Sequence, residues 1–380
     1  MAGARPTLGA PPDGKSPGPE AGLAYAGGVG RPTLGFAGVI TLLMLVTTGW
    51  IAGSYHLPLR DHDGIVGPSW LQLPVIAVLA VLVDVLPRVV RRAGGRTTSL
   101  GRLFVAVLRE RWPASFVRFA LAGLLVSYLV NSSFRNLKSW VPFVNARQWD
   151  DTLDQVDRTL WLGHDPATVL HDLLGTGWAA HVLSFVYVSW LVLVPFTLGI
   201  ALLWSRKVAA SACYVTALTL NWALGLLAYY LVPSLGPVYA DPARFADLPH
   251  TYVAGLQESM LAERVDLVAD PLSTGAIEPI AAFASLHVAL VVTMVLTAHL
   301  LRLRRWVLVS GWVYLALTCV ATVYLGWHYF VDDLGGVAIG TAAVWIAARA
   351  TGQWLPADER VEAGADLGAV QPSARPRTSA

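Results

Sequence analysis

Residues 279–350 read PIAAFASLHVALVVTMVLTAHLLRLRRWVLVSGWVYLALTCVATVYLGWHYFVDDLGGVAIGTAAVWIAARA. Three apolar runs follow one another here, at 279–302, 305–325 and 328–350, each long enough to cross a bilayer as a helix. The turn between the first two carries Arg302, Arg304 and Arg305. The opposite ends carry Ser285, His287, His328 and Asp332. The stretch therefore reads as helices passing back and forth through lipid, with base at one face and imidazole and carboxylate at the other.

The same pattern continues upstream at 34–53, 69–87, 115–134, 178–203 and 208–232, which predicts eight spans in all. Composition agrees. Apolar residues make up 55% of the 380 and charged residues only 14%, against about 25% charged in soluble domains. So few charges cannot cover a water-soluble fold of this size, and the mean hydropathy of +0.55 says the same. The expected fold is an all-α polytopic membrane bundle of about eight transmembrane helices. Residues 1–33 and 351–380, polar and Pro-containing without periodicity, are expected to be disordered tails. A net charge of +2, with no basic block interleaved with aromatics, excludes a nucleic-acid partner. Cys213 and Cys319 lie in apolar runs without metal-ligand spacing and read as small apolar filler.

Lysine and arginine set the expected orientation. Arg88, Arg91, Arg92, Arg96, Arg102, Arg109 and Arg111 fall between the second and third spans. Arg206 and Lys207 follow the fourth, and Arg302, Arg304 and Arg305 the sixth. An even span count puts all three loops in the cytoplasm together with both chain termini. The long segments 135–177 and 233–278 are then extracytoplasmic, in a multi-pass protein of the cell membrane. Within the first of them, 148–174 spaces its apolar residues helically and predicts one or two helices lying on the membrane surface. Asp84 and Arg118 sit near cytoplasmic span ends, where they are expected to snorkel.

The polar groups at the outer ends suggest chemistry. His328 and Asp332 are four residues apart and share a helix face. A carboxylate there can hold one imidazole nitrogen and leave the other as a nucleophile; acids favouring a helix dipole account for the same residues. His287, in AFASLHVAL (282–290), stands at the same membrane face, where it can act as a general acid or simply pack. Arg135 and Lys138 can neutralise a phosphate or serve as interfacial anchors. The segment YYLVPSLGPVY (229–239) forms a tight exit loop, read as a span terminator that shapes the pocket mouth. Two histidines with carboxylates can also hold a divalent ion, but no His-Glu-x-x-His cluster is present, and neither is an NTPase phosphate loop or a Gly-x-Ser-x-Gly elbow.

AFASLHVAL and HYFVDDLGG (328–336), in this order on the third-last and last spans, resemble the motifs of the type 2 phosphatidic acid phosphatase superfamily. The closer likeness is to its inositol phosphorylceramide synthase-like (inositolphosphotransferase) branch, which YYLVPSLGPVY and DQVDRTLWLGHDP (154–166) also resemble. The resemblance covers 115–350 as a six-span catalytic core, with 34–114 adding two spans and a basic cytoplasmic loop. It implies phosphoryl transfer on a lipid phosphate, with water or an alcohol as acceptor and neither metal nor cofactor. His328 would take the phosphoryl group, Asp332 would orient it, and His287 would protonate the leaving oxygen. Ser285, Arg135 and, less directly, Lys138 would bind phosphate. Two positions depart from the pattern: Ala284 replaces a proline, and Thr322 an arginine usual in the phosphatases but absent from the synthase-like branch. The other expectation for such a chain is a non-catalytic lipid-binding or transport protein on the same fold.

Overall fold

A computed structural model describes residues 34–60, 69–94, 100–272 and 280–353, all within one unit, Pro32–Trp354. The tails expected at 1–33 and 351–380 lie outside these residues, apart from 351–353. Among the described residues there is no strand. The helices are α1 (Gly35–Tyr55), α2 (Ser69–Ala93), α3 (Leu100–Arg111), α4 (Ala114–Ser139), α5 (Val141–Val144), α6 (Asp150–Leu160), α7 (Pro166–Leu174), α8 (Trp178–Gly199), α9 (Val208–Leu231), α10 (Pro237–Ala240), α11 (Tyr252–Ala269), α12 (Leu286–Leu300), α13 (Arg305–Tyr324) and α14 (Phe330–Ala350). A π-helical turn, Ile200–Trp204, continues α8.

Six helices among the described residues are long and apolar enough to cross a membrane: α1, α4, α8 with its π turn, α9, α13 and α14. Two expected spans differ. α2 runs for 25 residues but is not among the six. α12 has only 15 residues and starts at Leu286 instead of 279. At about 1.5 Å per residue it is roughly 22 Å long, shorter than a hydrocarbon core of about 30 Å. Its sides are covered by protein: Leu286, Val288, Ala289, Leu290 and Val291 are all buried. Helices form within 148–174 as the pair α6 and α7, amphipathic in α6, where Asp150, Leu153 and Asp157 form the buried face.

α1 is integral to the bundle. Its Met44 and Ile51 share a core cluster with Val130, Phe134 and Leu137 of α4, Leu226 and Tyr229 of α9, and Ala289 of α12. At the end of the bundle that carries Arg111 and Arg206, Asp84 does not snorkel. It is buried, accepting from Arg88 at 2.6 Å, Arg111 at 3.1 Å and Trp112 Nε1 at 3.2 Å, with Arg206 at 3.6 Å. Three cations converging on one carboxylate are better satisfied inside than a lone acid would be at the edge.

α12 and α14 cross closely because α14 presents Gly336 and Gly340 on one face. A Cβ on Gly336 would strike the Ser285 carbonyl, and one on Gly340 the Ala289 carbonyl. Small residues four apart let membrane helices bring their backbones together. Gly340→Ala should therefore lower stability by about 1–3 kcal/mol, the usual penalty of overpacking, read as a fall in detergent melting temperature. Gly38→Ala in α1, whose added methyl meets nothing, should show no fall.

Candidate active site

The short start of α12 and the turn before α14 meet at the other end of the bundle. Ser285 caps α12, its Oγ accepting from Val288 N at 3.4 Å. The α13–α14 turn is folded by the Thr322 carbonyl, which accepts from Trp327 N at 3.0 Å and His328 N at 3.2 Å. Asp332 Oδ2 reaches back to Tyr329 N at 2.9 Å in a capping box that starts α14. Two bonds clasp the segments together: Ser285 N donates to the Asp332 carbonyl at 3.0 Å, and His328 Nδ1 lies 2.9 Å from the Ala282 carbonyl.

That last contact fixes the histidine. A carbonyl only accepts, so Nδ1 carries the proton and Nε2 is left with its lone pair. Asp332 Oδ2 stands 3.4 Å from the same Nδ1, a longer contact than the Ala282 carbonyl makes. The imidazole is therefore held by the backbone of the other histidine segment as well as by the carboxylate beside it. His287 lies with its ring centre 5.9 Å from that of His328. It packs on α8, stacked on Tyr187 at 4.3 Å and beside Trp190 at 4.4 Å, while Trp327 also stacks on Tyr187 at 5.2 Å.

Lys138, one of the two cations singled out in the sequence, is near enough for its charge to act on both imidazoles. Its Nζ sits 5.2 Å from the centre of the Tyr229 ring. Arg135 is half-buried in the preceding turn of α4. Ser285 is fully buried at the α12 cap, flanked by the first amides of that helix, which geometry leaves open. Six buried side-chain polar atoms lack a hydrogen-bond partner among the described residues, and three of them, Trp190 Nε1, Trp327 Nε1 and Asp332 Oδ1, border this site. Such atoms are rare in folded proteins. No group of three His, Cys, Asp or Glu side chains suited to a metal ion occurs among the described residues.

Several supporting residues escaped the sequence reading. Asp157 of α6 accepts from Phe330 N at 2.6 Å and Val331 N at 2.9 Å, so it caps α14 from outside. Asp150 accepts from Leu235 N at 3.0 Å, Gly236 N at 2.9 Å and Tyr329 Oη at 3.1 Å. The exit loop is more than a span terminator. Ser234 takes Ala282 N on its carbonyl and Phe283 N on its hydroxyl, each at 3.0 Å. Gly236, at φ +103°, lies so close to the Trp327 carbonyl that a side chain cannot fit. Tyr187 and Trp190 did leave a signal, polar-tipped aromatics three residues apart in an apolar span.

Burial raises the Asp157 carboxyl to about 6, against the pull of the Phe330 and Val331 amides. Its folded value thus exceeds the unfolded one of about 3.9. Its stabilising contribution is complete below that lower value and fades as pH rises through about 6. Asp157→Asn removes this titration, so the variant should gain melting temperature relative to wild type between about pH 4 and pH 7. Its turnover should be lower throughout, because an amide oxygen cannot accept from both α14 amides as a carboxylate does. A difference in melting temperature that stays flat with pH would contradict the burial-raised titration of Asp157.

The comparisons with known proteins bear on the same segments. No curated protein and no solved structure gives a match. A family model described as the PAP2 superfamily matches residues 151–346. The match takes in α6, the exit loop, both histidine segments and nearly all of α14, and it spans more than half of the chain. This chain belongs to the PAP2 superfamily.

Proposed function

We propose that this protein moves a phosphoryl group from a lipid phosphate to an alcohol or to water, through a phosphohistidine formed on His328, at the extracytoplasmic end of the bundle. Membership of the superfamily supports phosphatase or phosphotransferase activity on lipid phosphates. The observation that carries the finer reading is the 5.9 Å approach of the two imidazoles, with His328 tied by Nδ1 so that Nε2 is the free base.

In this scheme Nε2 of His328 attacks phosphorus and the bond to the lipid oxygen breaks. His287 gives that oxygen its proton. The acceptor then loses a proton to His287 as it displaces His328, and the enzyme is restored. As the first bond forms, positive charge grows on the His328 ring, and Asp332, 3.4 Å from Nδ1, stabilises it. Phosphoryl transfer asks mainly for position and compensating charge. Lys138 and the open amides at the Ser285-capped start of α12 supply that charge, and Arg135, on the same helix as Lys138, adds a second cation.

Thr322 supports the synthase-like branch, in which the acceptor is an alcohol. Its hydroxyl donates to Asp333 at 3.0 Å. An arginine there would bring a full charge to the same carboxylate. The three loops rich in Arg support a cytoplasmic placement of the opposite end and, with it, of both termini.

The test uses purified full-length protein with labelled phospholipids and prenyl phosphates, with and without alcohol acceptors. His287→Ala should slow turnover about 10²–10⁴-fold, the range of a lost general acid, and should retain acid-labile label on the protein. His328→Ala should carry no label and show no turnover, and chelators should leave the wild-type rate unchanged. Turnover persisting in His328→Ala would refute the covalent scheme, and loss of the wild-type rate on chelation would favour a metal mechanism.

A further inference from the structure

A cavity of about 210 Å³ lies beside the clasp, lined among others by Asn145, Arg147, Ser234, Arg264 and Ala281. None of His287, His328 and Lys138 lines it. It is nonetheless one residue from the histidine's anchor: Ala281 precedes Ala282, whose carbonyl faces His328 Nδ1, and Ser234 holds Ala282 N and Phe283 N.

Its two guanidinium groups differ from the other cations near the site. Arg264, on α11, is half-buried and makes no hydrogen bond or ion pair among the described residues. Among the described residues the opposite charge acting on it is Asp150, and burial lowers its pKa. Asp150 accepts no hydrogen bond from it; its oxygens accept from Leu235 N, Gly236 N and Tyr329 Oη. Arg147 lies over the Trp149 ring, 5.5 Å from its centre, and is otherwise exposed. Desolvating a cation without an acceptor is costly, and two like charges on one small cavity add to that cost. A bound oxyanion removes both penalties, because the planar fork of arginine matches phosphate oxygens. The volume falls below the roughly 300–1,000 Å³ typical of drug-sized ligands, so the occupant is compact.

We propose that this cavity is a second anion site, separate from the imidazole pair, where Arg147 and Arg264 hold a phosphate group. The group comes either as free phosphate or as the head of a phosphorylated lipid, and both present the same oxygens to the arginines. Because the cavity shares Ser234 and Ala281 with the segment that anchors His328, occupancy there stiffens the support of the nucleophile.

The proposal is tested on the full chain carrying His328→Ala, so that binding is read without turnover and independently of whether a phosphohistidine forms. One arm titrates inorganic phosphate against chloride at matched ionic strength; the other titrates short-chain phosphatidic acid. Melting temperature and calorimetry are the readouts. A saturable response that weakens at least tenfold in Arg264→Gln, and also in Arg147→Gln, supports the site. Arg147 is exposed, so its loss does not threaten folding. Lys138→Ala should leave the Arg264-dependent response in place. Response in the phosphatidic acid arm alone identifies a lipid head as the source; response in the phosphate arm identifies the free anion. Binding unaffected by Arg264→Gln and Arg147→Gln, or abolished by Lys138→Ala, overturns the proposal.

Discussion

The hydrogen bonds between residues 282–285 and 328–332 are the constraint on which the rest of the site depends. Ser285 N to the Asp332 carbonyl and His328 Nδ1 to the Ala282 carbonyl join the two histidine segments through backbone atoms. Each bond contributes only about 0.5–1.5 kcal/mol net. Their importance is geometric. They fix the distance between imidazoles that come from different helices, and they fix which nitrogen of His328 is free. Neither bond would form unless α12 and α14 could approach as closely as Gly336 and Gly340 allow. Packing along the helices thus sets the chemistry at their ends.

A short α12 creates a problem that the surrounding loops solve. Its lead-in, 280–285, is not helical, and unpaired backbone in a membrane is expensive. The exit loop answers this with Ser234, which accepts from Ala282 N and Phe283 N. Asp150 in turn holds the exit loop by the amides of Leu235 and Gly236, and Asp157 holds the start of α14 by those of Phe330 and Val331. A single amphipathic helix, α6, therefore braces both halves of the site with two carboxylates seven residues apart on one face. Carboxylates suit this task because each accepts several amides at once, and charge-assisted bonds are the stronger kind.

The sequence made the helical class legible, because apolar runs of span length have few other solutions. It also made the histidine pair legible, because imidazoles are rare in such runs and both stood at the same expected face. The start of α12 was hidden, since hydropathy is continuous across 279–302 while the helix begins only at the Ser285 cap. Asp150 and Asp157 were hidden for a different reason: their partners are mainly backbone amides, which leave no side-chain signature. Asp84 looked like a snorkelling edge residue because the cations that bury it, Arg111 and Arg206, are remote in the chain. Arg264 carried no signal at all, being one arginine among many in the chain.

The departure at Thr322 has a structural logic that the motif alone does not convey. Its carbonyl folds the turn that carries His328, and its hydroxyl bonds the buried Asp333 next to Asp332. An arginine at 322 would deliver a full charge beside these two carboxylates, and much of it would be spent on them rather than on substrate. With threonine there, the acids are served by neutral donors, and Lys138, from a different helix, supplies a cation whose charge acts on both histidines. A lysine is a point charge on a flexible stem, without the fixed fork of arginine. In the proposed scheme, where phosphate sits first on a lipid, then on histidine, then on an acceptor, the site gains from a counter-charge able to follow the group as it moves.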